Sequence, residues 1–272
     1  MERRLIVVAA FCACGWLNAG AQAPVSSCVV IQKATEPSAW RSDAKACATR
    51  LSPASTFKIP HALVALETGV IQPDTIERWD GTRHPDQPEW NKDHTVLSAM
   101  RPSVLWFFQR IAPRIGAARM HEWLTKMHYG NADSSGEITA YWINGVLRVS
   151  PDEQVQFLRQ FYAGTLPIAA ERQRLVREAL VQRRGTVQNA RGIHTLEGTW
   201  PDTVSLNSKT GATRTTNNQG VSWLVGSLAV AGESHVFASA VWRNDGAVDG
   251  LDATRLAVRT FIERGLLRPA AR

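Results

Sequence analysis

Apolar residues recur along the chain with two different periods, and the change from one to the other falls near position 200. Before it the spacing is helical. Over 53–68, Phe57, Ile59, Ala62, Leu63 and Leu66 return to one face; Pro53 suits the first turn, Ser52 can cap it and Gly69 can end it. The same spacing predicts helices over about 103–112, 117–127, 151–163 and 168–183. Residues 72–95, rich in Pro, Asp, Gly and Trp, read as a long ordered loop. After the change, Thr203 to Ser208 alternates as a strand, and Val221 to Ala231 and His235 to Trp242 are β-branched and aromatic runs joined at Gly232-Glu233 as a hairpin. Residues 28–32 form a short strand near the start, and an amphipathic helix over about 252–264 stops at Gly265. Strand, many helices, antiparallel strands, helix: this order predicts an α+β fold. A sheet lobe comes from both chain ends, about 24–52 and 200–272, with a helical lobe of about 70–190 inserted between them.

Composition narrows the class. With 272 residues, 44% apolar and 20% charged, the chain is neither collagen-like nor disordered throughout, and it is long enough for one large domain or two lobes. The net charge is +7, but the basic residues are scattered, without a Lys/Arg-rich run or interleaved aromatics. No nucleic-acid partner is expected; a small anionic substrate or a generally basic surface accounts for the charge. Glu2-Arg3-Arg4, an apolar run from Leu5 to about Leu17 and the small residues Ala19-Gly20-Ala21 make a secretory signal peptide, cleaved after Ala21. The run falls short of the roughly 20 apolar residues a membrane span needs. Residues 22–272 are therefore expected as a single exported, periplasmic domain with no stable membrane association, as a monomer or homodimer. Cys12 and Cys14 leave with the leader. Cys28 and Cys47, 19 residues apart, can pair in an oxidising compartment or stay as two thiols; a bridge there is worth roughly 3 kcal/mol.

Candidate chemistry centres on serine and lysine. The seven histidines form no metal motif: His121-Glu122 would need a histidine at 125, where Thr125 stands, so no metal is expected. S-x-x-K occurs twice. Ser42/Lys45 lies in a polar stretch, whereas Ser55/Lys58 opens the first predicted helix, where the i, i+3 spacing puts both side chains on one face. A helix N-terminus offers free N–H groups to a developing oxyanion. A serine needs a base, and lysine becomes one when burial beside Phe57 and Ile59 lowers its pKa. Lys209-Thr210-Gly211 is expected at the end of a strand, with Lys209 near an anionic substrate and Gly211 admitting a ligand against the backbone. Tyr129-Gly130-Asn131 falls between helices.

The series Ser55-Thr56-Phe57-Lys58, Ser103-Val104-Leu105, Tyr129-Gly130-Asn131, Trp142 and Lys209-Thr210-Gly211 resembles the class D serine β-lactamases, the oxacillinases. Trp79-Asp80-Gly81, Trp90 to Thr95, Trp142-Ile143-Asn144-Gly145 and Gln154 to Leu158 extend the likeness over nearly the whole mature chain. The resemblance implies a β-lactamase/transpeptidase-like fold with the site between the two lobes. It implies that Ser55 is acylated by a β-lactam and that Lys58, carboxylated by CO2 or bicarbonate, is the general base. Trp142 would donate to that carbamate, and Ser103 with Lys209 would pass a proton to the leaving nitrogen. The N–H groups of Ser55 and Ala212 would form an oxyanion hole. Leu105, Tyr129, Asn131, Thr210, Gly211 and Arg255 would contact substrate, Arg255 through its carboxylate. Leu105 stands where the family usually has valine. No organic cofactor is implied. A β-lactam sensor shares these motifs but stays acylated, and a cell-wall transpeptidase or carboxypeptidase shares S-x-x-K and K-T-G; neither fits the single cleavable leader as well as a periplasmic hydrolase does.

Overall fold

The structure, a computed structural model, describes residues 25–270. The predicted leader, its cleavage site and Cys12 and Cys14 lie outside the described residues. The chain enters through β1 (Ser26–Lys33) and the short β2 (Trp40–Arg41), then forms α1 (Ala44–Cys47). A 3-10 turn, Ala54–Phe57, runs straight into α2 (Lys58–Glu67). The helical region continues with α3 (Val96–Met100), α4 (Leu105–Ile115), α5 (Ala117–Lys126), α6 (Tyr141–Asn144), α7 (Pro151–Ala163) and α8 (Ala170–Ala179). A hairpin of β3 (Thr186–Asn189) and β4 (Gly192–Thr195) follows. The chain closes with β5 (Val204–Arg214), β6 (Gly220–Val230), β7 (Glu233–Arg243) and α9 (Asp252–Glu263).

Five antiparallel strands in the order β2-β1-β7-β6-β5 make the main sheet, so its strands come from both ends of the chain, as the pattern predicted. Strand alternation divides the core in two. From β1 and β6, Val30, Val221, Trp223 and Val225 face the helical layer, while Val29, Ile31, Leu224 and Leu228 face α9 and its Phe261. α7 lies across β7 with a capping box: the Ser150 hydroxyl accepts from Glu153 N–H, and the Glu153 carboxylate accepts from Ser150 N–H. A disulfide joins Cys28 on β1 to Cys47 at the end of α1.

Four expectations change in detail. The stretch read as one helix over 53–68 begins with the 3-10 turn, and Ser52 does not cap it; its hydroxyl donates to the carbonyls of Trp142 and Ile143. The helix expected over 168–183 stops at Ala179 because the next residues pair with the outer side of β5: Ser208 N–H donates to Leu180 O (3.0 Å) and Gln182 N–H to Leu206 O (2.9 Å). Lys209-Thr210-Gly211 does not end a strand; it lies mid-way along β5, opposite Val225, Leu224 and Trp223 of β6. The fourth change is the β3–β4 hairpin itself, whose short, half-polar strands carry too weak an alternation to stand out.

Candidate active site

Ser55 sits in the 3-10 turn and Lys58 is the first residue of α2, so the i, i+3 relation predicted from spacing is formed by the junction of the two. Lys58 Nζ lies 2.7 Å from Ser55 Oγ. The turn is held from both lobes. Within it, Thr56 N–H and hydroxyl both donate to Pro53 O. Trp223 of β6 donates its indole N–H to Ser52 O (2.9 Å), while Ser52 itself bonds to α6. One residue thus links the turn that bears Ser55, the helix that bears Trp142 and the sheet.

The surroundings of Lys58 are dry. Its side chain is fully buried, and burial alone lowers the ammonium to about 7 from the usual 10.5, so near neutral pH a large fraction is free amine. Its Nζ lies 5.4 Å from the centre of the Phe108 ring. Phe108 packs on His61, His61 on Phe57 and Trp142, and Trp142 stacks on Phe57 with centroids 5.7 Å apart. Three polar groups in this aromatic cage have no hydrogen-bond partner: the Trp142 indole N–H, both ring nitrogens of His61 and the Tyr141 hydroxyl. Buried donors are normally paired, so orphans gathered around a neutral amine mark a place shaped for a further polar group. His61 is lowered to about 3, by burial first and by Lys58 second, and is an uncharged imidazole at any working pH. Among the seven histidines, nothing in the sequence marks His61 but its position three residues beyond Lys58.

A second buried amine closes the site from the sheet side. Lys209 Nζ donates to Ser103 Oγ (3.0 Å) and to Thr210 O (2.9 Å). It too is pushed well below its usual value, by burial and then by the charge of Lys58. Ser103 occupies the turn between α3 and α4 at φ 58°, a left-handed conformation that costs a non-glycine residue about 1 kcal/mol or more and is tolerated where neighbours fix it. Those neighbours belong to the long loop over 72–95: Trp90 donates to Pro102 O, and Trp106 donates to Trp90 O. Gly211 lines the cleft and has a further, structural reason. A Cβ there would stand 3.1 Å from Thr56 Cγ2 and 3.2 Å from Pro53 O, so the missing side chain lets β5 pack against the turn that bears Ser55.

A cleft of about 450 Å³ opens over these groups, lined by Ser55, Ser103, Thr210, Gly211 and Ala212, and further out by the β3–β4 hairpin and the end of β5. Four predicted contact residues do not line it. Tyr129 is fully buried, with its hydroxyl accepting from Gln154 Nε2 at 3.3 Å. Asn131 is exposed, but its amide donates to Val146 O and its side-chain oxygen accepts from Arg148 N–H, so it fastens one loop to another. Leu105, half-buried, packs on the helical-lobe core. Arg255 is not among the lining residues; its Nη2 donates to Asp249 (2.9 Å), which does line the cleft, and to Asp252 (2.7 Å). Arg191, His194 and Arg214 line the cleft instead, and no motif in the sequence marks them as site residues.

The chain matches the family profile of the penicillin binding protein transpeptidase domain over residues 27–262. Among named proteins it is 42% identical to beta-lactamase OXA-48 of Klebsiella pneumoniae over 130 residues, which is 47% of this chain and 49%, about half, of OXA-48. It is 35% identical to beta-lactamase OXA-10 of Pseudomonas aeruginosa over 217 residues, 79% of this chain and 75% of OXA-10. Among solved structures, BPu1 beta-lactamase superposes with a TM-score of 0.76 at 32% identity, covering 90% of this chain and 94% of that one. Class D beta-lactamase BAT-2 superposes with a TM-score of 0.75 at 28% identity, again covering 90% and 94%.

Proposed function

Since the chain belongs to the class D β-lactamases, within the transpeptidase family of penicillin-binding proteins, we propose that it hydrolyses β-lactam antibiotics, penicillins first among them, through an acyl-enzyme on Ser55. The observation that carries this reading is the 2.7 Å contact between Ser55 Oγ and a fully buried Lys58. Lys58 takes the hydroxyl proton as Ser55 Oγ adds to the lactam carbonyl carbon. The N–H groups of Ser55 and Ala212 hold the oxyanion. The carbonyl–nitrogen bond then breaks, and the ring nitrogen takes a proton by way of the Ser103 hydroxyl, which Lys209 supports at 3.0 Å. In the second half a water attacks the ester, Lys58 accepts its proton, and Ser55 leaves with a hydrogen restored.

Lys58 is proposed to be carboxylated by CO2 or bicarbonate, and the residues present fit that group: a dry lysine near neutrality is a good CO2 acceptor, and the orphaned Trp142 indole N–H is a donor suited to an anionic oxygen. When formed, the N-carboxylate supplies an anionic oxygen base in place of an amine. The Cys28–Cys47 disulfide and the leader pattern of residues 1–21 support action outside the cytoplasm, in the periplasm. Among the described residues, no helix is long and apolar enough to cross a membrane.

The test is penicillin hydrolysis by purified protein with and without bicarbonate, beside Ser55→Ala. Turnover that needs Ser55 and that rises with bicarbonate, most at acidic pH, is expected. A stable acyl-protein without turnover would make the chain a β-lactam sensor instead, and turnover indifferent to bicarbonate would remove the carboxylated lysine.

A further inference from the structure

The reaction outlined above gives His61 no part, yet a histidine is costly where it stands. The ring is fully buried, and neither of its nitrogens has a hydrogen-bond partner. An imidazole so placed has given up its bonds to water and received none in return, which lowers stability. An apolar ring of similar size would fill the same space without that loss. Packing alone therefore does not account for a histidine at this position.

Its placement relates it to the amine. His61 lies three residues beyond Lys58 on α2. Residues at that spacing share a helix face, and side chains lean toward the helix N-terminus, so the imidazole leans toward the end of the helix that bears the lysine. The contacts agree. The Phe108 ring has Lys58 Nζ 5.4 Å from its centre and the imidazole 5.3 Å from it, edge-on at 61°. The imidazole also meets Trp142 edge-on, with centroids 5.4 Å apart, and Trp142 carries another orphaned N–H. Amine, imidazole and indole thus border one aromatic cage, and the charge of Lys58 is felt at His61.

We propose that His61 is a positioning residue for the general base: its ring N–H donates to the carboxylate that CO2 forms on Lys58, and so holds that carboxylate in place beside Ser55. This rests on the reading of Lys58 as a carboxylated lysine. In that addition the amine lone pair forms the N–C bond, one C=O electron pair moves onto oxygen, and one amine proton leaves to water in the cleft by way of the Ser55 hydroxyl. The new group has two oxygens and reaches roughly 2 Å beyond Nζ, into the cage. An anion in dry surroundings is stable only when it is hydrogen-bonded. The Trp142 indole supplies one donor, and a neutral imidazole supplies a second. Because His61 stays uncharged, it gives this bond without setting a cation beside the carboxylate, which would weaken it as a base.

The experiment uses the intact protein without substrate, titrated with 13C-bicarbonate at one fixed pH. The lysine carbamate is followed by 13C NMR in wild type, His61→Phe and His61→Asn. Wild type should show a carbamate signal. His61→Phe keeps a ring and removes both nitrogens, and should need about tenfold more bicarbonate for half-carboxylation; His61→Asn, which restores an N–H donor, should need less than His61→Phe. Penicillin turnover by His61→Phe should fall at limiting bicarbonate and return to within twofold of wild type at saturation. Unfolding midpoints taken without bicarbonate separate this role from packing: a part in packing alone lowers the midpoint of His61→Phe and leaves its half-carboxylation unchanged, which overturns the proposal. Should His61→Phe not fold, wild type labelled with 15N-histidine decides. The His61 N–H should move downfield with the same half-saturation as the carbamate, and an unmoved N–H overturns the proposal. In either case the carbamate signal of wild type leaves the carboxylated lysine standing. A wild type without that signal at any bicarbonate concentration overturns the carboxylated lysine itself, and the role of His61 falls with it.

Discussion

The floor of the cleft and its rim are built by opposite physics. On the floor, Lys58, Trp142 and His61 are fully buried, and their behaviour follows from what water no longer reaches. The lysine loses its proton because nothing in the aromatic cage pays for its charge. On the rim, Arg191, Ala212 and Arg214 are exposed, and charge acts there through solvent over longer range. The floor holds the groups that can move a proton, and the rim presents exposed charge at the opening of the cleft. A change on the floor should therefore alter rate constants and stability together, whereas a change on the rim should alter substrate preference and leave the fold unmoved.

The widest separation between the two should come from Lys58→Met. Activity is expected to fall at least about 1000-fold, since the base for both half-reactions is gone. Stability is expected to rise. Wild-type Lys58 has a folded pKa of about 7 against 10.5 when solvated. Between those values the unfolded chain binds more protons than the folded one, so wild-type stability increases as pH rises through that window and is least below pH 7. The shift corresponds to on the order of 5 kcal/mol of burial cost at neutral pH. Methionine carries no charge to bury, so the variant should unfold at higher denaturant near pH 7, with the gain shrinking toward pH 10. Chemical denaturation at pH 7 and pH 9.5 measures both. A variant less stable than wild type at pH 7 would mean that Lys58 is not dry.

The same division explains what the sequence discloses. Ser55 and Lys58 are three residues apart, so their meeting is a local matter of helical geometry, and the apolar spacing around them announces burial. The sheet is legible for a related reason: β6 and β7 alternate strongly and are joined by a tight hairpin. Rim residues lack such signals. Arg191 reaches the cleft because a half-polar hairpin folds over it, and Arg214 because β5 continues past a lysine and a glycine that interrupt its alternation. Arg255 lies in a helix that does begin nearby, and two carboxylates, Asp249 and Asp252, hold its guanidinium beside the cleft rather than among the residues that line it. Tyr129 and Asn131 carry a motif whose work is internal. Gly130 lies against Arg148 O, where a Cβ would not fit, and Asn131 completes the join.

A narrower test of the floor is Trp142→Phe. The ring that stacks on Phe57 is kept and the indole N–H is removed. That N–H has no hydrogen-bond partner, so the fold should lose little: within about 1 kcal/mol. Deacylation should slow by about tenfold or more, and acylation by only a few-fold, so that an acyl-enzyme burst appears before the steady state. Stopped-flow kinetics with a chromogenic β-lactam separates the two steps. Equal losses in both would detach the indole from the second half-reaction.

The smallest effect expected is at Asn131, and it is the one that tells a motif residue from a contact residue. Its carboxamide donates to Val146 O (2.8 Å) and accepts from Arg148 N–H (2.9 Å), bonds made at the surface rather than in the cleft. Asn131→Ala removes both, together with the longer bond its side-chain oxygen accepts from Asp133 N–H (3.3 Å), and leaves their backbone partners free to bond to water, so the cost should be about 1 kcal/mol, read as a lower unfolding midpoint at unchanged m-value. KM and kcat for a penicillin should stay within twofold of wild type, because the side chain does not line the cleft that holds Ser55. A rise in KM without loss of stability would place Asn131 in the binding wall rather than in a joint between loops.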